Sequence, residues 1–257
     1  MNHDQQRRYV RQVMLPEIGE AGQEKLRAAR VLVIGAGGLG APLITYLASG
    51  GIGHLGVMDG DRVELSNLPR QTIYETGDIG RLKVDAAADR VAELNPDGDF
   101  TPYPIALTAE NAAEMIGKYD LVADGCDNFA TRFIVNETCV KLGKPLVSAA
   151  IAGWQGQVMT VMDGSACYRC LVHPEAPEMN TCRESGVIGP LGSIVGGMQA
   201  LEVMRVVLGM PALAGKVALF DGKAHTQRVV ALEKDRNCPV CATSPSGEVN
   251  MTVGNVG

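Results

Sequence analysis

Short apolar runs alternate with stretches of helical spacing along most of this chain. Val31-Leu32-Val33-Ile34 is apolar at every position and reads as a buried strand. Gly35 to Gly40 turns the chain, and residues 41–49 read as a helix. Leu55 to Met58 predicts a second strand, with Asp59 at its end. Helical spacing returns at Val84, Ala87, Val91 and Leu94, and Asn95-Pro96 stops it. Tyr119 to Ala123 predicts a strand. A helix follows from about Asn128 to Gly143, a C′ glycine, and Leu146 to Ala150 is a further strand. Strands alternating with helices predict an α/β, Rossmann-like doubly wound fold with a largely parallel sheet.

After Gly153 the pattern changes. Gln157 to Met162 reads as extended, and residues 173–190, rich in Pro, Gly and polar groups, as a long loop. Such loops are usually functional or disordered. Ser193 to Leu208 predicts an apolar helix, with Ser at its start and Gly209-Met210-Pro211 at its end. Strands at about 216–220 and 227–233 form an antiparallel C-terminal extension. One domain is expected over 1–242, with a nucleotide-binding core at about 28–150 and a second part at about 151–242. Residues 243–257, small and polar, read as a disordered tail.

Composition narrows the class. The chain has 257 residues, enough to bury a core without disulfides, and a formal net charge of −6. The acidic balance argues against coating nucleic acid or anionic lipid. An odd count of 7 Cys does not suit a secreted disulfide framework, and the N-terminus shows no apolar signal segment. The expectation is a soluble cytoplasmic protein. Val31 to Gly53 is uncharged and long enough to span a bilayer, but its glycines and Pro42 break a helix.

Gly35-Ala36-Gly37-Gly38-Leu39-Gly40 fits G-x-G-x-x-G between a predicted strand and helix. Glycine lets backbone N–H groups approach a phosphate, and the helix N-terminus adds partial positive charge. Asp59 lies about where a ribose-binding acid is expected. Alone, this pattern suits a dinucleotide such as NAD, and an NAD-dependent oxidoreductase is the competing reading. Ser66-Asn67-Leu68-Pro69-Arg70-Gln71 and Lys83 argue otherwise. Two cations and an amide suit the concentrated charge of a triphosphate better. Asp127, in Asp124-Gly125-Cys126-Asp127-Asn128, stands after a strand like a magnesium ligand. It could equally cap the following helix.

Cys167-Tyr168-Arg169-Cys170 and Cys238-Pro239-Val240-Cys241 are two C-x-x-C pairs. Paired pairs signal tetrahedral zinc. Redox dithiols or disulfides compete, but neither pair stands where a thioredoxin-like unit places its dithiol. Cys182 sits alone in the predicted loop, with Arg183 beside it to stabilise a thiolate. Cys126 and Cys139 read as packing residues.

In order along the chain, Arg8-Tyr9-Val10-Arg11-Gln12, the glycine loop, SNLPRQ, CDN, CYRC, the CR-x-x-G loop at Cys182 and the terminal CPVC resemble the ubiquitin-activating-enzyme-like sulfur-carrier adenylyltransferases. These are the molybdopterin-synthase and thiamine-pathway enzymes. Thr131-Arg132, Gly189-Pro190 and Phe220-Asp221-Gly222-Lys223 lean toward the thiamine type, and Pro69 departs from the usual Gln. The resemblance implies ATP-dependent activation of the C-terminal glycine of a small ubiquitin-like sulfur-carrier protein as an acyl-adenylate. It implies that Gly38 lines the phosphates and Asp59 binds ribose. Ser66, Asn67, Arg70 and Lys83 would contact the triphosphate, and Asp127 with Asn128 would hold Mg²⁺. Cys167, Cys170, Cys238 and Cys241 would hold Zn²⁺. Arg11 would reach the partner's site in a homodimer, and Cys182 would receive the carrier or sulfur in some members. A sulfurtransferase or cysteine desulfurase is a further expected partner. No rhodanese domain is expected after the second C-x-x-C. A tRNA-ligase-type relative is the alternative within the superfamily, which the acidic charge opposes.

Overall fold

The computed structural model of the chain describes residues 1–172 and 186–242. Two helices, α1 (His3–Val13) and α2 (Gly19–Ala28), precede β1 (Arg30–Ile34), α3 (Gly40–Ser49) and β2 (His54–Met58). Then come α4 (Lys83–Leu94), β3 (Asp99–Tyr103), α5 (Ala109–Gly117), β4 (Leu121–Asp124), α6 (Phe129–Leu142) and β5 (Leu146–Ala152). The last part holds β6 (Gln155–Val161), the short α7 (Tyr168–Leu171), α8 (Gly189–Leu208), β7 (Lys216–Asp221) and β8 (Thr226–Ala231).

All these strands form one 8-stranded sheet in the order β3-β2-β1-β4-β5-β6-β7-β8. The pairings from β3 through β5 are parallel, and those from β5 through β8 antiparallel. The expected fold class is borne out. The chain leaves β1 outward to β2 and β3, then returns to β4 on the other side. That reversal makes the carboxyl ends of β1 and β4 the switch point where open α/β sheets bind ligands.

The parallel strands are apolar at consecutive positions because both faces are covered. Val31 and Val33 of β1 pack with Leu43, Leu47 and Val84 on one face. Leu32 and Ile34 pack with Ile116 and Val135 on the other. Val31 to Gly53 is thus a strand, a loop and a helix. Helix α8 is long and apolar enough to cross a bilayer. Here Leu191, Val195, Ala200 and Val203 join the core instead.

Several expectations need correction. α8 begins at Gly189, not at Ser193, so the end of the expected 173–190 loop is helical. Pro190 suits a first helical turn because its missing N–H has no partner to lose there. A Cβ on Gly189 or Gly192 would collide with the carbonyl oxygens of Pro69 and Gly38, which explains glycine at both. β4 begins at Leu121, two residues after the expected start, because Tyr119 N–H still bonds back to the Ile116 carbonyl beyond α5. α1, α2, β3 and α5 were not expected from the pattern. The buried positions of α1 are Gln5 and Tyr9, so it carries no apolar stripe. β3 is an edge strand with Pro102 inside it, a position only an edge tolerates.

Candidate active site

The glycine loop leaves β1 and enters α3. Gly35 has φ +90°, open to glycine without strain, and a Cβ on Gly40 would strike the Gly35 carbonyl. Ala36 is held from both sides. Its N–H donates to Asp59 Oδ2 at 2.8 Å, and its carbonyl accepts from the Tyr74 hydroxyl at 2.8 Å. Burial, then the nearby Asp59 and Asp78 carboxylates, pushes the Tyr74 phenol well up, so it remains a donor. A Cβ on Gly38 would lie 3.6 Å from Arg70 Cδ, and one on Gly37 3.7 Å from Gln71 Nε2. Gly38, Asp59, Arg70 and Gln71 therefore converge. Gln71 Oε1 is buried with no hydrogen-bond partner among the described residues.

Ser66 and Asn67 lie in a single 3₁₀ turn, Leu65–Asn67. Buried Asn67 accepts from Glu64 N–H at 3.2 Å, and Arg70 Nη1 donates to the Ser66 carbonyl at 2.8 Å. Lys83 opens α4 with its amine 2.9 Å from Asp61 Oδ2 and 3.7 Å from Asp59 Oδ2. A buried cation thus stands beside the expected ribose acid.

The loop after β4 packs on the glycine loop through backbone. A Cβ on Gly35 would meet the Gly125 carbonyl oxygen at 3.2 Å. Asn128, not Asp127, caps α6, its Oδ1 accepting from Thr131 N–H at 2.9 Å. Asp127 lies exposed at the mouth of this loop. Below it, buried Asp124 accepts from Cys126 N–H at 3.0 Å, Ser148 Oγ at 3.0 Å and Arg132 Nη1 at 3.2 Å. Gln199 of α8 donates to the Asp124 and Val147 carbonyls at 2.9 and 3.0 Å. Sequence reasoning assigned no site role to Asp124, Ser148, Gln199 or Tyr74. The one available signal was a strand-end carboxylate followed by an arginine one turn into the next helix.

Arg11 does not join this group. Tyr9 OH accepts from Asn95 Nδ2 at 2.7 Å, and Gln12 Nε2 donates to the Gly50 carbonyl at 3.0 Å. These bonds pin α1 beside the C-terminal end of α3 and leave Arg11 exposed. The glycine loop is at the opposite end of α3, about 15 Å away at helical rise and beyond the length of an arginine side chain. Cys182 lies outside the described residues.

The two C-x-x-C pairs meet under α6. Cys167 Sγ is 3.7 Å from Cys238 Sγ, Cys170 Sγ is 3.4 Å from Cys241 Sγ, and all four sulfurs lie within 4.8 Å of one another. No disulfide joins them. Four thiolates around zinc at ≈ 2.3 Å would stand about 3.8 Å apart, close to these spacings. Burial pushes the Cys167 and Cys241 thiols up. At Cys238 the same burial is outweighed by backbone N–H groups of Cys241 and Val240, and its thiol lies below the ordinary value. Four clustered thiols whose protons a cation would displace fit zinc.

A family model described as "ThiF family" matches residues 9–240. The chain belongs to the ThiF family. The sulfur carrier protein adenylyltransferase of Thermus thermophilus is 44% identical over 248 residues, covering 93% of this chain and 92% of that one. "Adenylyltransferase and sulfurtransferase MOCS3" of Culex quinquefasciatus is 43% identical over 251 residues. That match takes in 96% of this chain but only 57% of the mosquito protein. Among solved structures, E. coli MccB with ATP shares the fold at a TM-score of 0.79 and 21% identity, covering 91% of this chain and 74% of that one. PaaA shares it at 0.76 and 24%, covering 91% and 76%. ThiF-family membership bears out the resemblance seen in the motifs; the glycine loop, SNLPRQ and CDN fall at the switch point, and CYRC and CPVC form the cysteine cluster.

Proposed function

We propose that this ThiF-family protein is an adenylyltransferase that uses ATP to activate a sulfur-carrier protein. The carrier's C-terminal glycine carboxylate attacks the α-phosphate of ATP. Pyrophosphate leaves, and the carrier becomes an acyl-adenylate. The convergence of Gly38, Asp59, Arg70, Gln71 and Lys83 beside the Asp127 loop carries this reading. Such a reaction needs no covalent catalyst from the protein, only positioning and stabilisation of charge. Asp59 takes the ribose, Gly38 lines the phosphates, and Ser66, Asn67, Arg70 and Lys83 face the triphosphate. Asp127, on a loop held by the Asn128 cap, binds the magnesium that neutralises the phosphate oxygens. The four cysteines hold zinc, which ties the C-terminal segment to the body.

Arg11 completes the site of a second copy. Its distance from its own glycine loop favours this. So do the exposed Tyr46 and Leu201, which with Gln12 and Met204 line an open hollow between α1, α3 and α8. A homodimer follows. The Cys182 thiolate takes the carrier's acyl group from the adenylate as a thioester, AMP leaving, and a sulfurtransferase or cysteine desulfurase supplies the sulfur that later displaces it. The pathway is thiamine biosynthesis, on Thr131-Arg132, Gly189-Pro190 and Phe220-Asp221-Gly222-Lys223, ahead of molybdenum-cofactor synthesis. The test is exchange of labelled pyrophosphate into ATP, dependent on added carrier. Exchange with a glycine-glycine-ended carrier is expected. None with any such carrier of the source organism would refute the reading.

A further inference from the structure

Helix α6 carries a polar stripe at residues 128, 132 and 136, four residues apart and hence on one face. Asn128 caps the helix beside Asp127. Arg132 is 6% exposed, and its guanidinium reaches in three directions. Nη1 donates to Asp124 Oδ2 and to Ser148 Oγ, both at 3.2 Å, and Nη2 donates to the Cys126 carbonyl. Its Cζ lies 5.9 Å from the centroid of the Tyr168 ring. Tyr168 belongs to the first cysteine pair. Its N–H donates to Asn136 Oδ1 at 2.8 Å, and Asn136 Nδ2 points to Cys167 Sγ at 3.6 Å. The stripe therefore runs from the acidic loop to the cysteine cluster.

We propose that Arg132 is the positioning residue for Asp127, clamping the Cys126 carbonyl from below while the Tyr168 ring holds the guanidinium in place. Asp124, the last residue of β4, sits in register with Ser148 inside β5, so Arg132 references the loop to the sheet itself. The Cys126 carbonyl is one peptide from Asp127. Fixing it fixes the peptide plane that carries Asp127 N and Cα, and so the point from which the Asp127 side chain leaves the backbone. A lysine at 132 would keep the charge beside Asp124. A single ammonium lacks the planar fork that spans Asp124, Ser148 and the Cys126 carbonyl together.

The inference rests on Asp127 acting as a ligand to magnesium–ATP, and calorimetric titration separates the two. ATP is titrated into the full chain once with Mg²⁺ and once in buffer with no added divalent cation, so that the cysteine cluster keeps its metal. In wild type, Mg²⁺ is expected to raise the affinity, and Asp127→Ala to abolish that gain. Arg132→Lys is expected to keep the magnesium-free affinity within about 2-fold while losing about 10-fold of the magnesium gain. Its zinc content should match wild type. Tyr168→Leu, which leaves the Asn136 bond to the backbone intact, should lose part of the same gain. If Arg132→Lys does not fold, Tyr168→Leu decides alone. Wild-type magnesium gain in Arg132→Lys or in Tyr168→Leu overturns the clamp. No gain in wild type, or a gain that survives Asp127→Ala, overturns the functional reading of Asp127 and the clamp with it.

Discussion

The parallel half of the sheet and its antiparallel half fix their important groups by different means. At the ends of β1, β2 and β4 the loops are held by buried polar contacts within the fold. Asp59 and Tyr74 hold Ala36, and Arg132 and Ser148 hold Asp124. Past β5 the strands are joined in simple antiparallel order, and β8 is exposed throughout. The segment after β8 meets the body at two pairs of sulfurs, each pair 71 residues apart in sequence, where the proposed zinc would fasten it. Buried hydrogen bonds hold geometry finely, because a lost partner leaves an unpaired group out of water. A metal tetrahedron holds position strongly but needs an ion. The first means suits a reacting site, and the second suits a terminus with too little core of its own.

The largest expected effect lies in the parallel half. Asp127→Ala should lower carrier-dependent pyrophosphate exchange by about 10²–10³-fold, the scale of removing a charge-stabilising group. Its melting temperature should stay near that of wild type, since Asn128 and not Asp127 caps α6. Activity close to wild type would mean that the acidic loop does not take part in the chemistry.

The antiparallel half should respond in stability first. Removing the metal with a chelator, or replacing Cys238 by Ser, should lower the melting temperature by about 10 °C, several kcal/mol for a chain of this size. Metal analysis should return about one zinc per chain before treatment. An unchanged melting temperature after complete metal removal would show that the cysteines do not fasten this half.

Mixing tests whether the comparison extends across two chains. Arg11→Ala and Asp127→Ala, each inactive alone, should regain about a quarter of wild-type exchange when combined at equal amounts with free subunit exchange. Half of the dimers are then mixed, and each mixed dimer has one intact site. A silent mixture with demonstrated subunit exchange would place Arg11 outside the site.

How much could be read from sequence follows the same division. β1, β2 and β4 are legible because burial on both faces demands consecutive apolar residues. The glycine loop is legible because Gly35 and Gly40 answer local backbone demands. The cysteine pairs are legible by spacing, although their meeting depends on the path of the chain between them. Arg132 stands out in sequence only within Thr131-Arg132, and its anchoring role is hidden, since its acceptors at Asp124 and Ser148 come together only when β4 and β5 pair. α1 was missed for a similar reason. Tyr9 is buried against Asn95, 86 residues away, and nothing local announces it. The sequence places the start of α8 at Ser193 because the preceding glycines and proline read as loop. Gly189 and Gly192 are there for close backbone contact.

The smallest effect separates two supports of the same loop. Tyr74→Phe removes the donor to the Ala36 carbonyl and leaves the Asp59 bond to Ala36 N–H in place. The loss should be about 1 kcal/mol, a fall of about 2–4 °C in melting temperature. ATP affinity should weaken by a few-fold, because the glycine loop loses one of its two anchors. Thermal melting and ATP titration on the same preparation read both. A lower melting temperature with unchanged ATP affinity would assign the loop's position to Asp59 alone. The hydroxyl of Tyr74 would then contribute stability alone, through its bond to the Ala36 carbonyl.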